Sequence, residues 1–269
     1  MLAQKSLLIT VVIAAAGTVL VLSAAYLARK KMAPGTDKES TPGEGREWVI
    51  LLHGIFRSPR SMNRIQKALE KEGYRVINLG YPSTKESVEN IAGLLDRQVR
   101  DLPKGRGRLH FVTHSLGAIV VRYYLAHHRV KNAGRVVMIA PPNRGSTLAY
   151  YLHKWMPYKW MFGKAGQQVT GGPNSLPLTL PAPRLEFGVI AGGTGSGTGI
   201  NPFIPGDNDG TVKVEETKLE GMKDFILVKG QHSTLLLQRG VVENVLAFLK
   251  TGTFLHHEEP GKAAHKDRR

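Results

Sequence analysis

The run Thr113-His114-Ser115-Leu116-Gly117 sets a serine between an apolar stretch and a segment whose Leu116, Ile119, Val120 and Tyr123 recur at helical spacing. On such a strand-to-helix turn a serine projects its hydroxyl above the sheet edge. The next backbone N–H, that of Leu116, then points toward the oxyanion that forms when the hydroxyl attacks an acyl carbon. A serine hydroxyl is a weak nucleophile near neutral pH. It needs a neutral imidazole to take its proton and a carboxylate behind that imidazole to fix its tautomer. His232, in Gly230-Gln231-His232, supplies the imidazole type, and Asp207-Asn208-Asp209-Gly210-Thr211-Val212 supplies two candidate acids, Asp209 and its rival Asp207. Upstream, the run 48–52 ends in His53-Gly54-Ile55, where a strand breaks at glycine and backbone amides can face the same edge as Ser115. That is the place for a second oxyanion donor.

These segments need a scaffold that brings them to one edge. Apolar runs at 48–52, 74–79, 109–113, 136–140, 186–191 and 225–229 read as strands, and periodic segments at 62–71, 88–99, 116–127 and 235–249 read as helices. Their alternation predicts an α/β fold, with a mostly parallel sheet covered by helices on both faces. Ser115, the two aspartates and His232 each fall just past the carboxyl end of a strand, where open α/β sheets gather their ligands. The order serine, acid, histidine is that of the α/β-hydrolase scaffold and of no other common serine-hydrolase fold.

Residues 48–252 accordingly resemble an α/β-hydrolase of the lipase and esterase type, in particular compact bacterial triacylglycerol lipases. His53-Gly54-Ile55 is similar to their oxyanion loop and Ala140-Pro-Pro-Asn-Arg-Gly-Ser146 to the segment after their next strand. Asp209-Gly210-Thr211-Val212 is similar to their acid followed by a short apolar run. The resemblance implies Ser115 as nucleophile, His232 as general base, Asp209 as orienting acid, and the backbone N–H groups of Ile55 and Leu116 as the oxyanion hole. Thr113 stands where the family's first glycine is usual, Ala118 where a second glycine is common, and Phe56-Arg57 follows the oxyanion loop. The activity implied is that of a serine carboxylester hydrolase acting on acyl esters or lipids through an acyl-enzyme. The same triad also suits amide or thioester hydrolysis and acyl transfer to an alcohol, and a silent hydrolase fold that binds a lipid or partner is the alternative of a different class.

Other candidates for chemistry are weaker. His53 and His114 flank the site and read as packing or hydrogen-bonding beneath its loops, while His127, His128 and His153 read as surface residues. The chain has no Cys, which removes disulfides, thiolate zinc sites, iron–sulfur clusters and a cysteine nucleophile. No carboxylate–histidine spacing suits a metal, so neither a metal nor a cofactor is expected. The glycine run 192–199 lacks the Gly-Lys-Ser/Thr ending of a phosphate cradle and reads as a flexible loop.

The rest of the chain divides by composition. After a flank of residues 1–6, residues 7–28 carry no charge. At helical rise they reach about 33 Å, enough to cross a hydrocarbon core of about 30 Å. They end in Arg29-Lys30-Lys31. This predicts an uncleaved transmembrane anchor whose basic flank leans the following domain toward the cytoplasm, export after signal cleavage being the alternative. Residues 29–46 read as a flexible linker, 47–252 as the hydrolase domain and 253–269 as a charged tail. Within the domain, 145–184 interrupts the α/β rhythm with Tyr150, Tyr151, Trp155, Tyr158, Trp160 and Phe162 beside Lys154 and Lys159, and reads as a cap or lid with an interface-seeking aromatic surface. The formal net charge is +16, from 37 Lys+Arg against 21 Asp+Glu. The excess lies mainly within the domain, with Arg57, Arg60 and Arg64 after the oxyanion loop and Arg144 before the insertion. An anionic membrane surface or an acidic substrate fits this charge better than nucleic acid, for which no motif is present. The sequence gives no signal of oligomeric state.

Overall fold

The computed structural model describes residues 45–172 and 175–256. The predicted membrane span at 7–28, nearly all of the linker and most of the charged tail lie outside the described residues. Among the described residues no helix is long and apolar enough to cross a membrane.

Six strands form one sheet: β1 (Trp48–Leu52), β2 (Arg75–Leu79), β3 (Leu109–His114), β4 (Ala133–Ile139), β5 (Phe187–Gly193) and β6 (Asp224–Lys229). All neighbours pair parallel, in the order β2-β1-β3-β4-β5-β6. The helices in chain order are α1 (Asn63–Lys71), α2 (Val88–Arg100), α3 (Leu116–His127), α4 (Thr147–Leu152), α5 (Met156–Gln168), α6 (Leu176–Thr179), α7 (Val214–Thr217) and α8 (Arg239–Thr251). The chain moves from β1 outward to β2 and then returns to β3 on the other side of β1. With right-handed crossovers, that reversal puts helices on both faces. Alternation along the strands does the rest: Ile50, Leu52, Phe111 and Met138 pack with Ile91, Leu95, Ile119 and Val120 of α2 and α3. Val49, Leu51, Val112 and Ile139 turn the other way, onto Ile65 and Leu69 of α1 and Val241, Val245 and Phe248 of α8.

Two elements differ from their sequence reading for local reasons. The helix expected over 235–249 is a 3₁₀ turn at Leu235–Leu237 followed by α8, with Gln238 extended between them. The Gln238 side chain donates to the Lys229 carbonyl at 3.0 Å, which holds this break against the end of β6. Strand β4 begins at Ala133, three residues before the apolar run, because Gly134 leaves room for the buried His110 ring, 2.6 Å from where a Cβ would stand.

Between β4 and β5 the insertion forms α4, α5 and α6. Helix α5 is broken at Gly163, whose φ of 60° and whose approach to the Thr84 carbonyl, 1.6 Å from an ideal Cβ position, admit no side chain. The half after the break lies on the segment before α2: Ala165 N–H donates to Glu86 O at 3.2 Å, and the Gln168 side chain accepts from Val88 N–H at 2.8 Å. The insertion is also gripped from the core. Arg122 of α3, almost fully buried, donates to the carbonyls of Asn143, Pro177, Leu180 and Pro181. No carboxylate among the described residues pairs with it, and burial lowers its pKa to about 10, so it stays charged near neutrality.

Candidate active site

The carboxyl edge of the sheet is where the backbone is strained. Of the four described non-glycine residues with positive φ, three follow the ends of central strands: Phe56 after β1, Ser115 after β3 and Ala140 after β4. Such conformations cost about 1–3 kcal/mol each and persist where the surroundings over-determine them. Ser115, at φ 53° and ψ −120°, is held by its N–H donating to Ile139 O at 2.9 Å and by its carbonyl accepting from Ala118 N–H at 3.0 Å. Gly117 makes the turn possible, since a Cβ there would stand 2.6 Å from the Leu52 carbonyl. Thr113 is accommodated in place of the usual glycine because its hydroxyl donates to Val137 O at 3.3 Å within the sheet.

The structure brings the predicted residues together. His232 Nε2 lies 3.0 Å from Ser115 Oγ, and His232 Nδ1 lies 2.7 Å from Asp209 Oδ2. A carboxylate only accepts, so Nδ1 carries the proton and Nε2 of the neutral ring faces the serine hydroxyl. Asp209 is buried, and its second oxygen accepts from Thr211 N–H at 3.0 Å and Val212 N–H at 2.8 Å. His232 N–H in turn donates to Asp209 O at 2.9 Å, joining the two loops through their backbones. Leu116 opens α3, so its N–H belongs to the turn that has no intrahelical acceptor. Ile55 sits in the turn that Arg57 N–H closes on Gly54 O at 3.2 Å, and Gly54 comes so near Ser115 that a Cβ there would be 3.1 Å from the serine Cβ.

Asp207 goes elsewhere. Burial opposes its ionisation, but hydrogen bonds from the Thr194 N–H and hydroxyl and from Gly195 N–H, at 2.8–2.9 Å, outweigh it and lower its pKa. The glycine run is therefore not a free loop. Gly192 and Gly193 finish β5, where a Cβ on the first would stand 2.6 Å from the Leu235 side chain and 2.9 Å from Asp209 Cβ, and one on the second 2.9 Å from the Asp207 carboxylate and Val214, and residues 194–198 wrap the Asp207 carboxylate. Between the two aspartates, buried Asn208 donates to the carbonyls of Asn201, Ile204 and Gly206 and accepts from Asn201 and Gly210 N–H. This fully used amide shapes the acid loop, and no periodicity in the sequence marks it.

The flanking histidines are structural neighbours of the site. His114 Nε2 donates to the His232 carbonyl at 3.1 Å, its Nδ1 is buried without a partner against Gly54, and burial, reinforced by the nearby His232, holds its pKa far below 6.5. His53 stacks on Tyr81 with ring centroids 4.0 Å apart, and burial lowers its pKa too. His128 meets Asp96 at 3.1 Å, while His127 and His153 cap carbonyls of their own helices. Among the described residues no cluster of His, Cys, Asp and Glu could hold a metal ion. The insertion reaches the site through Phe162, which meets Phe56 edge-on at 4.8 Å and stacks on buried Tyr158 at 4.2 Å. Its outer face exposes Tyr151, Met156 and Trp160, the last 90% exposed.

A parallel sheet that carries a strained serine between β3 and α3, with an aspartate and a histidine on later loops of the same edge, is the architecture of the α/β hydrolases. The model of the alpha/beta hydrolase family matches residues 49–208, and the chain belongs to that family. Among solved structures it is similar to the mature form of Bacillus licheniformis lipase BlEst2, at 20% identity and TM-score 0.57, covering 79% of this chain and 93% of that one. It is similar as well to a metagenomic carboxyl esterase, at 18% identity and TM-score 0.52, covering 77% and 71%. At this identity the likeness is one of fold. A stretch of 155 residues is 26% identical to the GTPase-activating protein CdGAPr of Drosophila melanogaster, covering 55% of this chain and 8% of that protein, so the chain spans under a tenth of that relative's length.

Proposed function

We propose that this α/β hydrolase is a serine carboxylester hydrolase, acting on acyl or lipid esters through an acyl-enzyme. The observation that carries the reading is the unbroken relay from Asp209 through His232 to Ser115 Oγ, at 2.7 and 3.0 Å, on a strained turn. In the proposed reaction His232 Nε2 takes the hydroxyl proton as Ser115 Oγ attacks the ester carbonyl. The Leu116 and Ile55 N–H groups receive the developing oxyanion, each such donor contributing about 2.7–4 kcal/mol to the transition state. His232 then returns the proton to the leaving alcohol, and a water activated by the same imidazole releases the acid. The lipase and carboxyl esterase among the similar folds favour an ester over an amide or thioester as substrate.

The lipid part of the reading rests on the insertion, whose exposed Tyr151, Met156 and Trp160 suit an acyl chain or membrane interface. Residues 7–28 act, in this proposal, as the anchor that holds the domain at a membrane. The test is a panel of esters from soluble short-chain to aggregated long-chain, assayed with the full chain and with Trp160→Ser/Tyr151→Ser. The double variant is expected to lose at least about fivefold more activity on the aggregated esters than on the soluble ones, about 1 kcal/mol of lost interfacial binding. Equal losses across the panel would remove the interfacial role and leave a soluble-ester hydrolase.

A further inference from the structure

Arg57 is a charged group for which the relay has no use. It follows the oxyanion turn, and its guanidinium reaches across to the base loop, where it donates to Ser233 Oγ beside His232. Its backbone N–H is fixed on Gly54 O, so both ends of the residue are tied to segments that border Ser115. It is partly buried, and among the described residues no carboxylate lies within ion-pair distance of it. A guanidinium has five N–H donors. Ser233 Oγ takes one hydrogen bond from it, and none of its nitrogens is both buried and without a partner, so the remaining donors are open to solvent on the segment that follows the oxyanion turn. Burial lowers its pKa with no neighbouring charge to compensate, and its field reaches buried His114 below the serine.

A half-buried, uncompensated guanidinium beside a reacting centre is costly unless it receives an anion. Two other enclosed arginines are satisfied within the fold, Arg122 by carbonyls and Arg135 by Glu186 and the end of α8. We propose that Arg57 is a specificity-determining residue that binds an anionic oxygen group, phosphate or carboxylate, carried by the ester substrate next to its scissile carbonyl. Planar guanidinium N–H pairs match such groups in bidentate geometry, which lysine cannot reproduce. The domain's positive excess acts in the same direction at long range, drawing anionic substrates to the site. The proposal deepens the esterase reading and rests on it for turnover, though not for binding.

The test compares two matched pairs: 1-hexanoylglycerol with its 3-phosphate, and p-nitrophenyl butyrate with the mono-p-nitrophenyl ester of glutaric acid. The phosphate pair carries the anion on the alcohol side and the carboxylate pair on the acyl side, so the two pairs tell which side Arg57 reads. The quantity read is the ratio of kcat/KM for the anionic member to that for the neutral member. The ratio is expected to exceed one in at least one pair and to fall about 10- to 100-fold in Arg57→Gln, with Arg57→Lys recovering part of it. Equal losses on both members, which leave the ratio unchanged, would make Arg57 a strut between the oxyanion and base loops and overturn the proposal. So would a wild-type ratio below one in both pairs. Binding of 1-hexanoylglycerol 3-phosphate to Ser115→Ala, measured by calorimetry with and without Arg57→Gln, separates the two claims. An Arg57-dependent Kd with no turnover in the parent protein faults the esterase reading and keeps the anion site. Turnover with an Arg57-independent Kd does the reverse.

Discussion

Asp209→Asn is expected to lower kcat by about 10³–10⁴-fold with the fold intact, whereas Asp207→Asn should lower it less than about tenfold. The two carboxylates are two residues apart and would be hard to rank by position alone, yet their partners differ completely. Asp209 Oδ2 accepts from His232 Nδ1 at 2.7 Å, and an amide there would present N–H₂ or oxygen indifferently, releasing the imidazole into the wrong tautomer. Asp207 spends its oxygens on Thr194 and Gly195, so its loss loosens the loop after β5 and is read as stability, about 1–2 kcal/mol, not as chemistry. Steady-state kinetics on a soluble ester, paired with denaturation of each variant, checks both halves. Turnover that survives in Asp209→Asn and is lost in Asp207→Asn would reverse the assignment.

Acid should unfold this domain earlier than its carboxylates alone would require. His53, His110 and His114 are buried, and desolvation lowers the pKa of each, that of His110 to about 4 despite the opposing influence of Glu47. The hydrogen bonds agree with neutral rings, since His110 Nδ1 accepts from Arg135 N–H at 2.9 Å and so cannot carry a proton. A histidine whose folded pKa lies below its unfolded value contributes its full stability above about pH 6.5 and loses it as pH falls toward the folded value, because only the unfolded chain takes up the proton in that window. Each such group contributes about 1.4 kcal/mol per pH unit, so the three together set a limit of about 4 kcal/mol per unit. Against a typical total of about 5–15 kcal/mol, even a part of that limit is a large share of the stability. Guanidinium unfolding at pH 7.5, 6.0 and 5.0 should show a steep fall in the midpoint, and a flat profile would mean that these rings are charged or solvated in the native state.

The central scaffold was legible because burial on both faces of the parallel sheet writes itself into continuous apolar runs: β1, β3 and β5 are buried almost throughout and begin within a residue of their predicted starts. The same clarity extends to the site residues, since chain order and strand ends together put Ser115, Asp209, His232 and Ile55 on one edge. What the sequence left open was decided by contacts between distant segments. Whether Asp207 or Asp209 meets His232 depends on how the 194–210 loop folds back, which Asn208 dictates through five hydrogen bonds. The glycine run reads as a flexible loop, whereas its first two glycines make room for Leu235, Val214 and the two aspartates. Arg122, inside an otherwise apolar helix, is the post to which the insertion is fastened by carbonyls some 55–59 residues away. None of these leaves a periodic or local signature, because each is a long-range polar pairing and not a pattern of burial.

Reaction of the folded protein with a fluorophosphonate probe, followed by mapping of the modified peptide, shows whether Ser115 is an activated nucleophile, because only an activated serine attacks phosphorus at a useful rate. A single adduct is expected, on Ser115, absent from Ser115→Ala and slowed by at least about 10³-fold in His232→Ala. A folded protein that takes up no probe, or takes it up on another serine at a rate indifferent to His232, would contradict that expectation.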